Sequence, residues 1–165
     1  QVYKTYIVEN EERNDIIKRA ALKLISAGKK VLILVVRVNH GEQLKKVLEN
    51  DCRLGYLDGQ KSTKERLGTI SAMKNGEIDL IIASKIFDQG VDIPELDALI
   101  LAGSGKSTGR ALQRIGRGIR KRDGKDKAIV VDFLDNAKFL RDHSDVRMSV
   151  YKTEPEFKIK VHIKK

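Results

Sequence analysis

Four continuous apolar runs constrain the fold of this 165-residue chain more than any other feature. They are KVLILVV (30–36), DLIIAS (79–84), DALILAG (97–103) and AIVVDF (128–133). A strand that is covered on both faces is apolar at every position rather than at alternate positions, so these runs predict buried strands of a parallel sheet. The shorter stretch RLGYL (53–57) predicts a further strand between two helices.

Amphipathic stretches separate these runs and predict helices. NDIIKRAALKLISAGK leads into the first strand, HGEQLKKVLEN follows it, and STKERLGTISAMKNG precedes the second long run. The last of these begins at an N-cap, Ser62 or Thr63, and ends near Gly76, which suits the position just past a helix end. The alternation of strands and helices predicts an open, doubly wound α/β layer.

The C-terminal segment FKIKVHIKK alternates apolar and polar residues and predicts a half-exposed edge strand near residues 157–163. No repeat or low-complexity linker interrupts the chain, so we expect one domain over residues 1–165. The chain begins with Gln1 rather than Met, and we expect a fragment or a processed product.

The composition favours a polyanionic partner. Lys and Arg outnumber Asp and Glu by 33 to 23, although a soluble basic surface explains the net charge of +10 equally well.

The single cysteine, Cys52, excludes an internal disulfide and suits a reducing cytoplasm, which would be the host cytoplasm for a viral protein. The three histidines lack ligand spacing, so we expect no metal site in this chain. No apolar run approaches a membrane span, and we expect no membrane partner.

The stretch GSGKST (103–108) looks like a phosphate-binding loop, with Lys106 in the place of the phosphate-binding lysine. That loop also needs a glycine five residues before its Gly-Lys pair, and Ile100 occupies this position inside an apolar run. A β-branched residue does not easily adopt the backbone conformations that glycine supplies there. Asp132 similarly resembles the acid that ends a Mg²⁺-binding strand. A small P-loop NTPase or kinase therefore stays open as a minor alternative.

The densest charge lies in residues 105–127, where nine Lys and Arg residues accompany two Asp residues. On a helix that begins near Thr108, Gln113, Arg117 and Arg120 follow spacings of four and three and share one face. Guanidinium groups on one face can hold phosphate oxygens in a bidentate manner. A solvated basic face is the simpler explanation, but separate apolar positions give this helix another side to bury.

Several motifs together resemble superfamily 2 helicases. QRIGRGIR (113–120) resembles motif VI, which has the form Gln-x-x-Gly-Arg-x-x-Arg, and residues 83–103 look like motif V with its Gly-x-Asp-x-Pro core. Residues 31–48 are similar to motif IV, and residues 56–84 to the segment that follows it. The motifs keep the family's order over residues 30–134. The resemblance implies a single RecA-like domain, with a mostly parallel sheet flanked by helices on both faces.

The resemblance also implies roles for individual residues. Arg117 and Arg120 would reach the ATP γ-phosphate as arginine fingers, and Gln113 would orient them. The residues near the nucleotide would be Gly90, Asp92 and Asp88. Those on the sugar-phosphate backbone of a nucleic acid would be Arg37, Gly59, Ser84 and Lys85.

The resemblance implies the C-terminal motor lobe of an ATP-dependent helicase or translocase. The expected cofactors are ATP and Mg²⁺, with the P-loop and the Mg²⁺-holding acid supplied by an N-terminal RecA-like lobe. The nucleic acid would be DNA, with RNA as a possibility, and the isolated chain would not hydrolyse ATP. A stand-alone nucleic-acid-binding module without turnover remains the main alternative.

Overall fold

Five parallel strands form the centre of the computed structural model, which describes residues 1–84, 96–103 and 129–153. The strands are β1 Val31–Val35, β2 Leu54–Leu57, β3 Leu80–Ser84, β4 Ala98–Leu101 and β5 Ile129–Val131. Their order across the sheet is β2-β3-β1-β4-β5, and every neighbouring pair is parallel. The predicted parallel sheet is therefore confirmed, with each strand inside or next to its predicted apolar run.

Within the described residues, four α-helices and one π-helical turn accompany the sheet. They are the turn Lys4–Val8 and the helices α1 Glu11–Ser26, α2 Val38–Leu48, α3 Thr63–Lys74 and α4 Lys138–Lys152. The first three α-helices coincide with the predicted amphipathic stretches. The turn and α4 lie where no helix was predicted.

Helix α3 shows how closely local sequence sets an element's ends. Ser62 Oγ accepts a hydrogen bond from the Glu65 backbone N–H at 3.1 Å, and Glu65 Oε2 accepts one from the Ser62 N–H at 2.8 Å. This reciprocal capping box satisfies two N–H groups that the helix itself leaves unpaired. Beyond the other end, Gly76 has a φ of +76°, which glycine adopts without steric cost. The predicted N-cap and the predicted terminal glycine are confirmed.

The core has two layers because each strand sends alternate side chains to opposite faces. On one face, Ile33 of β1 packs among residues of α1 and α2, including Ile17 and Leu44. On the other face, Leu32 packs among residues of α3 and α4, including Met73. All five residues of β1 are buried, which explains why its sequence is apolar throughout.

Strand β5 is less well covered than predicted. In β5, Ile129 and Val130 are each 38% exposed, although the apolar run predicted a strand covered on both faces. Among the described strands, β5 pairs only with β4, whereas β1 has a neighbouring strand on each side. No helix in the described part of the chain is both long and apolar enough to cross a membrane. The predicted edge strand near 157–163 and the predicted basic helix lie outside the described residues.

Candidate functional site

The carboxyl ends of the parallel strands meet at one edge of the sheet, which is where ligands bind in open α/β folds. Ser84 ends β3, and it lies opposite Val35 of β1 in the strand register. Arg37 follows two residues after β1 ends, and Gly59 follows two residues after β2 ends. Because β2, β3 and β1 are adjacent, the structure brings these three predicted nucleic-acid contacts to the same stretch of this edge.

Arg37 is exposed at the N-cap position of α2. Its guanidinium carbon lies over the ring of Tyr3, 4.7 Å from the ring centroid. Within the described part of the chain, the Arg37 guanidinium has no hydrogen-bonding or ion-pair partner. No acceptor in that part of the chain competes with an external one, such as a phosphate oxygen, for its N–H donors.

Gly59 lies in the exposed turn between β2 and α3. A Cβ added at this position would meet no atom within 4 Å. The neighbouring Asp58 Oδ1 accepts a hydrogen bond from the Gln60 N–H at 2.9 Å and shapes the turn. The surroundings leave the Gly59 backbone open to a ligand.

Ser84 differs from these two residues because it is buried, with 1% of its surface exposed. Its hydroxyl oxygen has no hydrogen-bond partner among the described residues. A buried hydroxyl without a partner is energetically costly, so a ligand that reached it would satisfy it. A direct contact from Ser84 to a phosphate requires this hydroxyl to become accessible.

The other side of the same edge, after β4 and β5, is a buried ionic network. Arg147 of α4 is fully buried and donates from Nε to Asp132 Oδ2 at 2.9 Å. Tyr151 donates its hydroxyl hydrogen to the same oxygen at 2.7 Å. Asp132 Oδ1 accepts from the Phe133 N–H at 2.7 Å and from a terminal Arg147 nitrogen at 3.3 Å. Both oxygens of Asp132 are thus engaged within the protein.

The pKa values of this network follow from its contacts. Burial lowers the pKa of Arg147, but its hydrogen bond to Asp132 and the Asp132 charge outweigh burial and raise the pKa above its ordinary value. Burial and the Asp132 charge raise the pKa of the Tyr151 hydroxyl. Arg147 therefore stays charged and Tyr151 stays protonated, which keeps the network intact.

A second buried arginine joins α1 to this region. Arg13 donates from Nε to Asp135 Oδ1 at 2.9 Å and from a terminal nitrogen to the Ala102 carbonyl at 2.6 Å. Its guanidinium carbon also lies 4.8 Å from the centroid of the Phe133 ring. These contacts connect α1 with the residue that follows β4 and with the segment that follows β5.

His40 in α2 lies beside this second arginine and is fully buried. Its Nε2 is 3.0 Å from Asn14 Oδ1, and Asn14 Nδ2 donates to the Val8 carbonyl at 2.9 Å. Since the amide nitrogen of Asn14 is the donor to Val8, its oxygen accepts, which assigns the proton to His40 Nε2. Burial, with the charge of Arg13, lowers the pKa of His40 from 6.5 to about 4. His40 is therefore a neutral structural residue at neutral pH.

The other predicted site residues lie outside the described part of the chain. The predicted residues outside the described ones are Lys85, Asp88, Gly90, Asp92, Lys106, Gln113, Arg117 and Arg120. Ile100, however, lies within β4 between Ile33 of β1 and Val131 of β5, and it is fully buried. The strand that was predicted at this position is confirmed, so a phosphate-binding loop cannot begin there.

Three residues at this edge, Tyr3, Arg13 and Arg147, were not predicted from the sequence. Arg13 shares a helix face with buried Ile17 and Ala21, at successive spacings of four. A charged residue on the apolar face of a helix is the signal that could have found it. Tyr3 had no such signal, because its contact with Arg37 depends on the tertiary fold.

The family assignment comes from a comparison with known proteins. Residues 12–122 match the family model described as the helicase conserved C-terminal domain. The chain belongs to this family. The match includes the proposed contact residue Arg37 and the motif-bearing segment 113–120, but it excludes β5 and α4.

Two curated relatives show how much of a longer protein the chain matches. Putative helicase 22 of Sulfolobus islandicus filamentous virus is 29% identical over 79% of this chain, which covers 24% of that protein. The ATP-dependent DNA helicase uvsW of Enterobacteria phage T4 is 30% identical over 76% of this chain, which covers 26% of the relative. The chain therefore spans about a quarter of the length of these relatives.

Solved structures show the same fold. The crystal structure of T4 UvsW aligns with a TM-score of 0.71 and 24% identity, covering 86% of this chain and 32% of that one. The C-terminal domain of the DEAD-box protein Dbp5 aligns with a TM-score of 0.68 and 17% identity, covering 92% of this chain and 83% of that one. The predicted RecA-like fold and the resemblance to superfamily 2 helicases are confirmed.

Proposed function

We propose that this chain is the C-terminal motor lobe of an ATP-dependent nucleic-acid helicase or translocase. The observation that carries the proposal is the family match over residues 12–122, which contains every proposed site residue. One relative is named an ATP-dependent DNA helicase, which favours DNA over RNA as the nucleic acid. The net charge of +10 suits a polyanion of either kind.

In the proposed motor, Arg117 and Arg120 act at the ATP γ-phosphate across the cleft between two lobes, and Gln113 orients them. Two fixed guanidinium groups stabilise the negative charge that develops on the transferred phosphoryl oxygens. The residues proposed to lie near the nucleotide are Gly90, Asp92 and Asp88.

We assign the Mg²⁺ that accompanies ATP to an N-terminal RecA-like lobe. Asp132 is the acid of this chain that most resembles a Mg²⁺ ligand, and it does not fit that role. Its two oxygens already accept hydrogen bonds from Arg147, Tyr151 and a backbone N–H. Ligation by Asp132 would leave Arg147 as a buried charge without its partner, which is strongly unfavourable.

The proposed nucleic-acid contacts lie at the carboxyl ends of β1, β2 and β3. Arg37 and the Gly59 backbone offer hydrogen-bond donors at an exposed edge. Ser84 lies opposite Val35 in the strand register, and Lys85 follows Ser84 in the sequence. Contacts of this kind bind the phosphate backbone without reading bases, which suits a protein that moves along a strand.

The test is steady-state ATPase of the full-length motor with a nucleic-acid titration. Arg117→Ala or Arg120→Ala should lower kcat by about 10³ to 10⁵, the range for arginine fingers in related phosphoryl transfers. Nucleic-acid binding should stay nearly intact, and Lys at either position should not rescue turnover, because a point charge cannot reproduce a planar fork.

Lys106→Ala is the matched control, since it removes a positive charge from the segment GSGKST (103–108), which by this proposal only resembles a P-loop. It should cost little turnover. If Lys106→Ala is as inactive as Arg120→Ala, or if the isolated chain hydrolyses ATP through Lys106, the lobe assignment is wrong.

A stand-alone nucleic-acid-binding module is the second candidate. Exposed Arg37, whose guanidinium has no hydrogen-bonding partner among the described residues, favours it because such a contact needs no nucleotide. The isolated chain should bind single-stranded DNA weakly and with a steep salt dependence under either proposal. The two proposals differ when an N-terminal lobe and ATP are added. A motor lobe gains ATP turnover stimulated by nucleic acid, whereas a binding module gains none.

A further inference from the structure

We propose that Tyr3 is a positioning residue for the nucleic-acid contact of Arg37, an inference that rests on the proposed function. Its ring forms a platform beneath the guanidinium group and holds it at the carboxyl edge of the sheet. Tyr3 lies outside the family match over residues 12–122. The residue that orients Arg37 therefore comes from a part of the chain that the family model does not include.

The contact leaves Arg37 able to bind a phosphate. The guanidinium carbon lies over the Tyr3 ring, 4.7 Å from its centroid, within the range of a cation–π interaction. This attraction uses the electron-rich face of the ring. The guanidinium N–H donors radiate from the central carbon in one plane, and ring contact does not consume them. Among the described residues, no acceptor takes these donors.

The platform is itself held firmly. Tyr3 is 9% exposed and packs in an apolar cluster with Ile7, Val8 and Leu140. This cluster joins the first residues of the chain to the beginning of α4. A ring fixed in this way restricts the long arginine side chain that lies on it.

The restriction matters because a free arginine loses rotamer freedom when it binds a phosphate. A guanidinium that the Tyr3 ring already holds at the edge loses less rotamer freedom on binding. An exposed cation–π contact is worth about a two- to fivefold change in an equilibrium constant, so this is the effect expected on affinity.

The experiment measures the Kd of the 165-residue chain for a fluorescently labelled single-stranded oligothymidylate, by anisotropy at low salt. The informative variant is Tyr3→Leu, which keeps an apolar side chain in the cluster and removes the aromatic face. Tyr3→Phe keeps the ring and should retain the affinity of the unmodified protein. Ile7→Val disturbs the same cluster without touching Arg37, so it controls for a loss of stability alone.

A double-mutant cycle with Arg37→Ala separates positioning from a general structural effect. Tyr3→Leu should weaken binding about two- to fivefold when Arg37 is present and should have no effect in the Arg37→Ala background. Melting curves of all variants identify any that fail to fold. If Tyr3→Leu does not fold, Tyr3→Ile takes its place. It should lose affinity for DNA, whereas Tyr3→Phe should retain it.

The results test the positioning role of Tyr3 separately from the nucleic-acid contact of Arg37. An equal loss of affinity from Tyr3→Leu with and without Arg37, or a similar loss from Ile7→Val, overturns the positioning role. If Arg37→Ala weakens binding but Tyr3→Leu does not, the positioning role is also overturned, whereas the Arg37 contact is supported. If Arg37→Ala binds DNA as tightly as the unmodified protein, both the nucleic-acid contact of Arg37 and the positioning role of Tyr3 are overturned.

Discussion

The two sides of the sheet's carboxyl edge use arginine in opposite ways. Beside β2, β3 and β1, Arg37 is exposed and touches only an aromatic ring through its guanidinium among the described residues. Beside β4 and β5, Arg13 and Arg147 are buried, and each is paired with an aspartate at 2.9 Å. The same side chain is therefore available to a ligand on one side and committed to the fold on the other. Burial and partners, rather than residue type, separate the two roles.

The largest effect expected from this contrast is on the buried side. Arg147→Met should lower the free energy of unfolding by about 3–5 kcal/mol, because it leaves the Asp132 carboxylate without its charged partner in a buried site. Nucleic-acid affinity of the folded fraction should not change. Urea unfolding and anisotropy titrations measure the two quantities.

Arg53→Met is the matched control for Arg147→Met. Arg53 also pairs with an aspartate at 2.9 Å, but its side chain is 61% exposed. Exposed pairs contribute little, so this variant should unfold almost like the unmodified protein. Equal losses of stability from the two variants would contradict the distinction between buried and exposed arginine pairs.

A smaller effect is expected from His40 of α2, which is buried and contacts Asn14 of α1. Its pKa is lowered from 6.5 to about 4, so below pH 6.5 the unfolded chain binds a proton that the folded chain does not. Stability should therefore fall as the pH drops through this window, by about 2 kcal/mol between pH 7 and pH 5. Urea unfolding at both pH values measures the difference.

His40→Gln should remove that part of the pH dependence, whatever it does to stability at neutral pH. His143→Gln provides the control, because it removes a histidine that is not fully buried. A pH dependence that persists unchanged in His40→Gln would show that other groups are responsible.

The smallest effect is expected on the open side. Arg37→Gln should change the free energy of unfolding by less than about 0.5 kcal/mol, since the side chain is exposed. It should weaken single-stranded DNA binding and reduce the salt slope by about 0.7, as expected for one lost phosphate contact. Lys46→Gln removes the same charge from exposed surface near the other end of α2. Equal effects from both variants would indicate a general charge effect rather than a contact at the edge.

The sequence could predict most of the sheet and the helix ends that depend on local chemistry. Strand β1 is recognisable because all five of its residues are buried and therefore apolar. The start of α3 is recognisable because Ser62 and Glu65 cap it through contacts within one turn. Both features follow from neighbours in the sequence or from burial alone.

The missed helix, α4, shows what pattern analysis does not detect. The face that it buries consists of Leu140, Ser144, Arg147 and Tyr151. Their spacing is helical, but only Leu140 is plainly apolar, so the segment lacks an apolar stripe. Arg147 is buried because Asp132 accepts its charge, and that partner is fixed by the tertiary fold. The positions of Arg37, Gly59 and Ser84 on one edge could be expected from strand order, whereas the Tyr3 platform could not.

The central position of β1 affects how the chain must fold. Of the five described strands, β1 is synthesised first, yet its two neighbours, β3 and β4, come much later in the sequence. Contacts between distant residues form slowly, because long loops must close before the pairing stabilises them. Until then, the backbone of Val31–Val35 has unpaired hydrogen-bonding groups on both edges and an apolar side chain at every position. A strand whose five residues all end buried is therefore exposed to aggregation while the protein is being made.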